Sequence, residues 1–477
     1  MFEKELGKDR ISDLRSAIAA AEKLGELIRI KEPVDVKFEL VGEYLKYSGG
    51  TPVPPPTKIG PAVFFEKVVR TDGTQTFPYG IPVVAGILGS RERAACYFGV
   101  PKEKLALRLL EALRNPIPPR YVRSAPCQEV VIDKDINLTE QLPIPTMSYD
   151  CAGPTITMGL IRGVDPEIGQ GDVTFHRMFV VGRDKLTALM GPMRHIKQMQ
   201  LKAEARGEPF PVSINIGIDP FTTIAAGISS PTGTYLDELA VAGALKGSPM
   251  ELVKCKTIEG EALANAEIVL EGEIQPNETM MEDAASARKG WSMPEMAGYV
   301  GKANVAQIIK VKAITYRTNP IYQTLITPGE EINVIQGIPA EAEIINAAWK
   351  AGYKDLLKDV YSSSAGGGKL FGILQVKKRD ANDDLEVMNL AMLALATRLE
   401  MRHIMVVDDD VDIHDPMDLW WAFTTRFKPT DGLVVINRAN AWPGLAEHIR
   451  TTKAVFDCTV PWNEKEKMRR PRWKRNI

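Results

Sequence analysis

Residues 171–195 carry four side chains that could bind a metal ion or an anion: Asp172, His176, Arg177 and His195. Carboxylate and imidazole groups are common ligands of divalent cations, whereas a guanidinium pairs with carboxylate or phosphate groups. Two apolar runs flank a polar turn at residues 182–185, which is typical of a β-hairpin with one buried face. Two interpretations remain open at this point: the hairpin carries a metal and anion site, or it is a surface hairpin with ordinary charges.

Two further carboxylates are candidates for chemistry, Glu238 and Glu295. Glu238 lies at the start of a predicted helix, and Glu295 follows Pro294 in a segment rich in Gly, Met and Trp. An apolar setting raises the pKa of a carboxyl group, which is what a general acid near neutral pH requires. The alternative for Glu295 is a solvent-facing loop residue. Glu267 and Glu271 flank a predicted strand, and we interpret them as charges at its edge.

Two charged runs in the C-terminal third allow simpler explanations than a binding site. The acidic run at residues 408–412 lacks the glycine and the distal glutamate of a calcium-binding loop. We interpret these acids as residues at a strand end that cap the next helix. Lys377 ends another predicted strand, followed by Lys378 and Arg379, and either neutralises a phosphate group or faces water.

The chain has 477 residues and is nearly neutral, with 59 Lys and Arg, 61 Asp and Glu, and a net charge of −2. This balance argues against nucleic acid or an anionic membrane as a partner. Hydrophobic residues make up 44 % and charged residues 25 %, as in soluble globular proteins. The start MFEKELGKDR is unlike a signal peptide, and no apolar run reaches the roughly 20 residues of a membrane span. We therefore expect a cytoplasmic protein.

The cysteines are too widely spaced to predict a structural site. They include no C-x-x-C pair, so neither a disulfide framework nor a zinc site is indicated. We expect buried thiols at all five positions, which are Cys96, Cys127, Cys151, Cys255 and Cys458.

The predicted elements divide the chain into three regions, residues 1–120, 121–318 and 319–477. The first mixes amphipathic helices with short strands, and Ser12 or Asp13 caps its first helix. The second consists mainly of short strands, with helices at 196–205 and 236–245, which suggests a barrel or a sandwich. The third alternates helices at 340–351 and 385–400 with strands, as in an α/β domain with a largely parallel sheet. The predicted fold class is therefore α/β (α+β) with several domains.

Eight segments, taken together, resemble the UbiD family of decarboxylases, which use prenylated flavin mononucleotide (prFMN). In chain order they are DVTFHR, RHI, INIGIDP, ELAVAGALKGSPMELVKC, AEIVLEGEI, PEMAGYVG, LQVKKR and VVDDDVDIHDPMDLWWAFTTR. Each is short, but their order and spacing together are specific. SAGGGKLFGILQVKKR, WSMPEMAGY and FDCTVPW are most similar to the branch of the family that acts on hydroxylated benzoates such as protocatechuate.

The resemblance implies a divalent metal ion, Mn²⁺ or Mg²⁺, between the protein and the phosphate of prFMN. The matching ligand positions are Asp172, His195 and Glu238. It also implies a potassium ion (K⁺) held by Glu238 and by backbone oxygens near Ser229, and a contact between Lys377 and the cofactor phosphate. His176 matches no ligand, and we expect it to be structural.

The family's catalytic groups are an arginine and two glutamates. Arg177 matches the arginine, which also lies at the cofactor, and Glu295 matches the glutamate that donates a proton. The second glutamate of the family lies five residues before the first, where this chain has Gly290. Three alternatives stay open: Glu282 supplies the missing carboxylate, Asp283 supplies it, or the site works without it.

The implied reaction is the reversible, non-oxidative decarboxylation of a hydroxylated aromatic acid of the protocatechuate or 4-hydroxybenzoate type, with Arg177 orienting the carboxylate. The resemblance also implies a central split barrel that binds the flavin and a C-terminal oligomerisation domain, in a homodimer or homohexamer. A flavin prenyltransferase would supply the cofactor. The alternatives are a decarboxylase of another aromatic or heteroaromatic acid, a cofactor-binding subunit without activity, and a metal-dependent hydrolase built on the three metal-ligand positions.

Overall fold

The computed structural model describes residues 11–48, 58–70, 77, 80–229, 237–442, 444–445 and 447–471. The chain forms two compact units, Met1–Ile335 and Gln336–Ile477. The first contains a four-stranded and a nine-stranded sheet, and the second a five-stranded sheet. None of the helices in these described ranges has the length and apolar character needed to cross a membrane. The region boundaries at residues 120 and 318 remain predictions.

The first unit starts with mixed helices and strands and continues as a β-rich region. Its elements are α1 (Leu14–Lys23), β1 (Leu27–Asp35), α2 (Glu39–Ser48), β2 (Ala62–Val69), β3 (Val83–Ala85), α3 (Arg91–Phe98), α4 (Leu105–Arg114), β4 (Arg120–Tyr121), β5 (Val130–Ile132), α5 (Leu138–Gln141), β6 (Thr155–Ile156), β7 (Gly159–Val164), β8 (Gly171–Phe175), β9 (Met178–Val180), β10 (Lys185–Ala188), α6 (His195–Ala205), β11 (Phe210–Ile216), α7 (Pro220–Ala225), α8 (Glu238–Lys246), β12 (Glu251–Lys254), β13 (Glu261–Leu263), β14 (Ile268–Met281), β15 (Trp291–Pro294), β16 (Val300–Lys302), β17 (Val305–Tyr316) and β18 (Tyr322–Thr324).

The N-terminal sheet has the strand order β1-β2-β3-β18. β1 and β2 are parallel, β3 is antiparallel to β2, and β18 pairs in parallel with β3 although it follows the whole β-rich region in the sequence. Asp13 caps the start of helix α1: its carboxylate accepts a hydrogen bond from the backbone N–H of Ser16, and the Ser16 hydroxyl accepts one from the N–H of Asp13. This capping box confirms the predicted cap at one of its two candidate residues.

The nine-stranded sheet has the path β6-β9-β10-β17-β14-β11-β7-β8, with β5 added beside β17. β8 and β9 lie six strand spacings apart on this path, about 29 Å in a flat sheet. Only His176 and Arg177 separate the two strands in the sequence, a link that spans at most about 11 Å. The sheet must therefore curl until its ends approach. β6 and β8 form no ladder in the described residues, so the barrel stays open, in agreement with the split barrel implied by the resemblance.

The predicted hairpin at residues 171–195 is confirmed only in its second half. β9 and β10 pair in antiparallel fashion across the polar turn. The run before the turn is not one strand, however, because it breaks at His176 and Arg177, and β8 pairs with β7 instead. The apolar alternation continues through the break, so it could not show that the two pieces belong to opposite sides of the curled sheet. Helices α6 and α8 confirm the helices predicted at 196–205 and 236–245.

The second unit is an α/β layer, as predicted. Its elements are α9 (Glu330–Lys350), which begins in the first unit, β19 (Leu357–Ser362), β20 (Phe371–Val376), α10 (Asp383–Thr397), β21 (His403–Asp408), α11 (Pro416–Arg426), β22 (Leu433–Asn437), α12 (Glu447–Arg450) and β23 (Thr452–Cys458). The strand order is β19-β20-β21-β23-β22, and the three central strands are parallel. The predicted start of α9 at residue 340 is wrong, because the helix continues through Pro339.

The acidic residues at 408–412, at the end of β21, have different partners. Asp408 is buried and accepts a hydrogen bond from the backbone N–H of Val460 at 2.7 Å. Asp410 forms a two-pronged pair with Arg426 at 2.8 and 2.7 Å. The helix cap is Asp415, whose carboxylate accepts a hydrogen bond from the N–H of Met417. The interpretation that the acids at 408–412 cap the next helix is therefore wrong, because the cap is Asp415, just beyond the run.

The interpretation of Glu267 and Glu271 as strand-edge charges is wrong, because both are fully buried. Glu271 accepts hydrogen bonds from the backbone N–H groups of Lys256 and Thr257. Glu267 accepts two hydrogen bonds from Arg15, both at 2.8 Å, and one from Arg317 at 3.2 Å. Period-two alternation cannot reveal such burial, since it does not show what packs beside the end of a strand. Glu267 thus joins α1 to the β-rich region.

Replacing Glu267 by Gln is expected to lower the free energy of unfolding by about 2–3 kcal/mol, because two guanidinium groups lose their buried charged partner. Glu273→Gln on the same strand is the matched control. It removes a partly exposed pair with Lys312 and should cost less than about 1 kcal/mol. Urea denaturation followed by circular dichroism measures both. Equal losses in the two variants would show that the buried pair makes no special contribution.

Candidate active site

Asp172, His195 and Glu238, the predicted metal ligands, come together in the structure. Asp172 lies on β8, while His195 and Glu238 are the first residues of α6 and α8. Each offers one ligand atom, and these atoms all lie within 4.8 Å of one another. The Nδ1 atom of His195 is 3.7 Å from Oδ1 of Asp172, and the backbone N–H of Val173 donates to Oε2 of Glu238 at 3.2 Å. An edge strand and two helix starts therefore build one cluster from distant parts of the sequence.

The charges of this cluster suit a bound cation. Asp172 and Glu238 are each only 4 % exposed. Burial raises the pKa of Glu238 well above its ordinary value, and the neighbouring charge of Asp172 raises it further. Oδ2 of Asp172 is buried and accepts no hydrogen bond from the described residues. A divalent cation would neutralise the two carboxylates and use this oxygen, and the donor set of two carboxylates and one imidazole suits Mn²⁺ or Mg²⁺.

Arg177 lies in the two-residue link between β8 and β9 and contacts two glutamates. Its Nε and Nη2 atoms donate to the two carboxylate oxygens of Glu282 at 2.6 and 2.7 Å. Its Nη1 atom forms an ion pair with Oε1 of Glu295. Burial alone would lower the pKa of Arg177, but the hydrogen bonds to Glu282 and the charges of Glu295 and Glu282 outweigh it, so the pKa is raised. The guanidinium is therefore a permanent cation between two carboxylates.

Both glutamates belong to one long loop, residues 282–304, which connects the paired strands β14 and β17. Glu282 directly follows β14, and its Oε2 atom accepts a hydrogen bond from the N–H of Asn304 at 2.9 Å. Glu295 follows β15, which pairs with β16 to form a hairpin within the loop. The carbonyl of Lys302, at the end of β16, accepts a third contact from Arg177 at 3.4 Å. The base and the hairpin of the 282–304 loop thus enclose the guanidinium.

Of the two candidates for the missing carboxylate, the structure brings Glu282 to Arg177. Asp283 instead accepts a hydrogen bond from the N–H of Gly290 at 2.6 Å and ties the loop together. Gly290 has φ +92°, a conformation that L side chains rarely adopt. The position at which the family has its glutamate therefore favours glycine in this chain. The signal for Glu282 in the sequence is its place directly after a long strand, but spacing alone did not distinguish it from Asp283.

His176 is structural in its contacts, as expected. Its Nδ1 atom is 2.9 Å from the carbonyl oxygen of Leu189. Burial and, to a smaller extent, the charge of Arg194 lower its pKa to about 4. The imidazole is therefore neutral at pH 7 and donates from Nδ1 to that carbonyl.

Two of the predicted cofactor contacts, at Ser229 and Lys377, are not tested by the structure. The Ser229 hydroxyl accepts a hydrogen bond from Nη1 of Arg194 at 3.4 Å, but residues 230–236 lie outside the described ranges, so the potassium site stays a prediction. Lys377 belongs to the second unit, where its N–H donates to the carbonyl of Leu356 at 2.8 Å. Its contact with a phosphate also stays a prediction. The five cysteines are free thiols, and all but the partly exposed Cys255 are buried.

The sequence matches the 3-octaprenyl-4-hydroxybenzoate carboxy-lyase (UbiD) family along most of its length. The N-terminal domain matches over residues 18–113, the Rift-related domain over 120–331 and the C-terminal domain over 333–458. The chain belongs to the UbiD family of decarboxylases. The resemblance inferred from the short motifs is thereby confirmed.

Individual UbiD relatives cover nearly the whole chain. A gallate decarboxylase from Lactiplantibacillus plantarum is 35 % identical over 92 % of this chain and 91 % of the relative. The crystal structure of apo 3,4-dihydroxybenzoic acid decarboxylase (AroY) from Klebsiella pneumoniae is 40 % identical, with 98 % of each chain covered and a TM-score of 0.90. HmfF from Pelotomaculum thermopropionicum, a UbiD-class enzyme solved in complex with FMN, is 30 % identical over 97 % of this chain and 98 % of that one, with a TM-score of 0.85. An evolved dimeric form of HmfF has been solved in complex with prFMN.

The lowered pKa of His176 predicts a specific pH dependence of stability. Because the folded pKa of about 4 lies below the unfolded value of about 6.5, protonation favours the unfolded state. Stability should therefore fall as the pH drops from about 6.5 towards 4, with His176 contributing on the order of 2–3 kcal/mol. His176→Asn, which can still donate to Leu189, should make this dependence shallower. Urea denaturation between pH 7.5 and 4.5 measures the effect.

The exposed His448 provides the control, since His448→Asn should leave the slope of stability against pH unchanged. Parallel pH profiles for the wild type and His176→Asn would contradict the burial of a neutral imidazole at this position.

Proposed function

We propose that this UbiD protein catalyses the reversible, non-oxidative decarboxylation of a hydroxylated aromatic acid of the protocatechuate or 4-hydroxybenzoate type. The observation that carries the proposal is Arg177 held between Glu282 and Glu295. A guanidinium is suited to bind a carboxylate, and a carboxyl group beside it can transfer a proton. The alternative of an inactive subunit was motivated by the glycine at position 290, and it loses that support because Glu282 lies at Arg177.

The similar enzymes favour this substrate class. The relatives named for gallate and for 3,4-dihydroxybenzoic acid act on substrates that share a hydroxyl group para to the carboxylate. A para oxygen is conjugated with the ring carbon that loses CO₂. We therefore propose a para-hydroxylated benzoate in preference to other aromatic or heteroaromatic acids.

We propose prFMN as the cofactor, because a UbiD-class enzyme similar along nearly the whole chain has been solved with FMN and with prFMN. The cofactor supplies the electron sink for cleavage of the bond to CO₂. Asp172, His195 and Glu238 would hold Mn²⁺ or Mg²⁺ next to the cofactor phosphate, as the buried, unused oxygen of Asp172 supports. A metal-dependent hydrolase needs the same three residues, but membership of a decarboxylase family argues against it.

Further contacts of the cofactor and the state of assembly rest on the resemblance. We propose that Lys377 binds the phosphate and that Glu238, with backbone oxygens near Ser229, binds K⁺. A flavin prenyltransferase would supply the cofactor. The active form would be a homodimer or a homohexamer, and the dimeric form of HmfF is a precedent for the smaller assembly.

The side chains suggest how the residues divide the reaction. Glu282 occupies the Nε and Nη2 edge of Arg177 and fixes the plane of the guanidinium. A substrate carboxylate that binds the remaining Nη1 atom displaces Glu295 from its ion pair. Glu295 then lies beside the substrate and, being 23 % exposed, can take a proton from solvent. It delivers this proton to the ring carbon from which CO₂ has left.

The direct test is activity of the protein coexpressed with a flavin prenyltransferase and purified with its cofactor. We expect CO₂ release from 3,4-dihydroxybenzoate, with 4-hydroxybenzoate and gallate as the related acids of the panel, and the matching phenols as products by chromatography. Glu295→Gln should lower kcat at least about 100-fold, because a carboxamide cannot donate the proton. Protein expressed without the prenyltransferase is the control and should be inactive.

Absence of turnover on all three acids, with the cofactor shown to be bound by absorbance and mass, would overturn the substrate proposal. Unchanged activity of Glu295→Gln would overturn the assignment of the proton donor.

The pairing of Glu282 with Arg177 predicts unequal effects of two neighbouring substitutions. Glu282→Gln weakens the bond that orients the guanidinium, and we expect kcat/KM to fall by about 10- to 100-fold. Asp283→Asn keeps an oxygen for the N–H of Gly290 and should change kcat/KM less than about threefold. Steady-state kinetics of the two variants, with cofactor content matched, measures the difference. A larger effect at position 283 would assign the second carboxylate to Asp283.

A further inference from the structure

Arg162, on β7, is a buried cation without a role in the proposed reaction. It is 3 % exposed. Its Nη2 and Nε atoms donate to Oε2 of Glu261 at 3.0 and 3.3 Å, and its Nη1 atom lies 3.6 Å from Oδ1 of Asp237. Glu261 is in turn bonded to the hydroxyl of Tyr121. Through its two carboxylate partners, Arg162 connects β7 with β13 and with the start of α8, three elements that do not otherwise pair.

The side chain of Arg162 crosses the edge strand β8 at Gly171. A Cβ atom on Gly171 would lie 2.0 Å from Cζ of Arg162, so the guanidinium would have to move to make room for any side chain at this position. The φ of Gly171 is not in the left-handed region, so it is the space taken by Arg162, and not backbone conformation, that favours glycine here. The guanidinium therefore lies directly on the backbone of the residue before Asp172, and it reaches the far side of β8 by this route.

On that far side Arg162 meets the N-terminus of α8. Asp237 is the cap of this helix, and its Oδ1 atom accepts a hydrogen bond from the N–H of Leu239 at 3.0 Å. The next residue is Glu238. A second tie between the same elements is the hydrogen bond from the N–H of Val173 to Glu238. Arg162 thus contacts the residues immediately before two of the three proposed metal ligands.

We propose that Arg162 is a positioning residue for the metal site: by clamping the start of α8 across β8, it sets the separation of the Asp172 and Glu238 carboxylates. The clamp also supplies a positive charge beside a group of carboxylates whose mutual repulsion would otherwise push α8 away from the strand. Removal of Arg162 leaves Asp237 and Glu261 without their buried partner. Asp237 then turns towards solvent, and the first turn of α8 moves with it. This inference rests on the proposed binding of a divalent cation by Asp172, His195 and Glu238.

The experiment is a titration of metal-free protein with Mn²⁺ in the presence of FMN, followed by the electron paramagnetic resonance signal of free Mn²⁺. Arg162→Met should raise the dissociation constant of Mn²⁺ by about 10- to 100-fold, the usual cost of losing a group that orients a metal ligand. Arg120→Met is the matched control, because it removes a 65 % exposed arginine whose partner is Glu251. It should leave Mn²⁺ binding unchanged. Circular dichroism and the thermal midpoint check that each variant is folded.

Three further variants and one control keep the proposal testable if Arg162→Met does not fold. Gly171→Ala should displace Arg162 and weaken Mn²⁺ binding with no change in charge, whereas Gly182→Ala, in the β9–β10 turn, should not. Arg162→Lys should bind Mn²⁺ with intermediate affinity, since one ammonium group cannot reach both carboxylates. Asp237→Asn retains a capping oxygen but loses the pair with Arg162, and it should reproduce the loss seen in Arg162→Met.

The outcomes distinguish this inference from the proposed function. Unchanged Mn²⁺ affinity in folded Arg162→Met or Gly171→Ala, with binding by the wild type, would overturn the role of Arg162 and leave the metal site intact. Absence of Mn²⁺ binding by the wild type would overturn both. Additive losses in a double variant of Arg162 and Asp237 would also contradict the clamp, because two residues that act through one contact should show much less than additive effects.

Discussion

Two residues, His176 and Arg177, join strands that lie near opposite ends of a nine-stranded sheet. This short link forces the sheet to curl, and it puts Arg177 where the two ends approach each other. Asp172 precedes the link on β8, so the proposed metal ligand and the proposed substrate-binding arginine are five residues apart on one continuous backbone. The long strands β14 and β17 lie in the middle of the same path, and the 282–304 loop that joins them brings both glutamates to the arginine. The site is therefore a consequence of how the sheet curls.

The two parts of the site, around Arg177 and around Asp172 and Glu238, differ in their balance of charge. Around Arg177, the protein surrounds one partly buried cation with two carboxylates, so the charge is compensated within the chain. Around Asp172 and Glu238, two buried carboxylates face a single imidazole, and the pKa of Glu238 is raised first by burial and then by the charge of Asp172. The first arrangement is complete by itself, and in the proposed function it exchanges the carboxylate of Glu295 for that of the substrate. We propose that a cation from outside the chain completes the second.

The resemblance pointed to residues 172, 177, 195, 238 and 295, and the structure brings them together in two groups, Asp172 with His195 and Glu238, and Arg177 with Glu295. Helical periodicity also located α6 and α8 to within two residues at each end. The features that the sequence did not predict depend on contacts between distant segments of the chain. The burial of Glu267 depends on Arg15 and Arg317, and the choice of Glu282 depends on the register of β14 with β17 and on the fold of the loop between them. No local sequence pattern predicts that the side chain of Arg162 crosses Gly171, because this contact arises only when β7 and β8 pair.

The strand β18 has a consequence for the order of folding during synthesis. It completes the N-terminal sheet beside β3 but is made 237 residues after the end of that strand. At about 5–20 residues per second, a ribosome needs roughly 10–50 s to cover this distance. Until then one edge of β3 has no partner, and for the first part of this interval α1 also lacks the buried carboxylate of Glu267 that anchors it. The N-terminal sheet is therefore completed long after its first three strands are made, and the open edge of β3 can pair with other chains in the meantime.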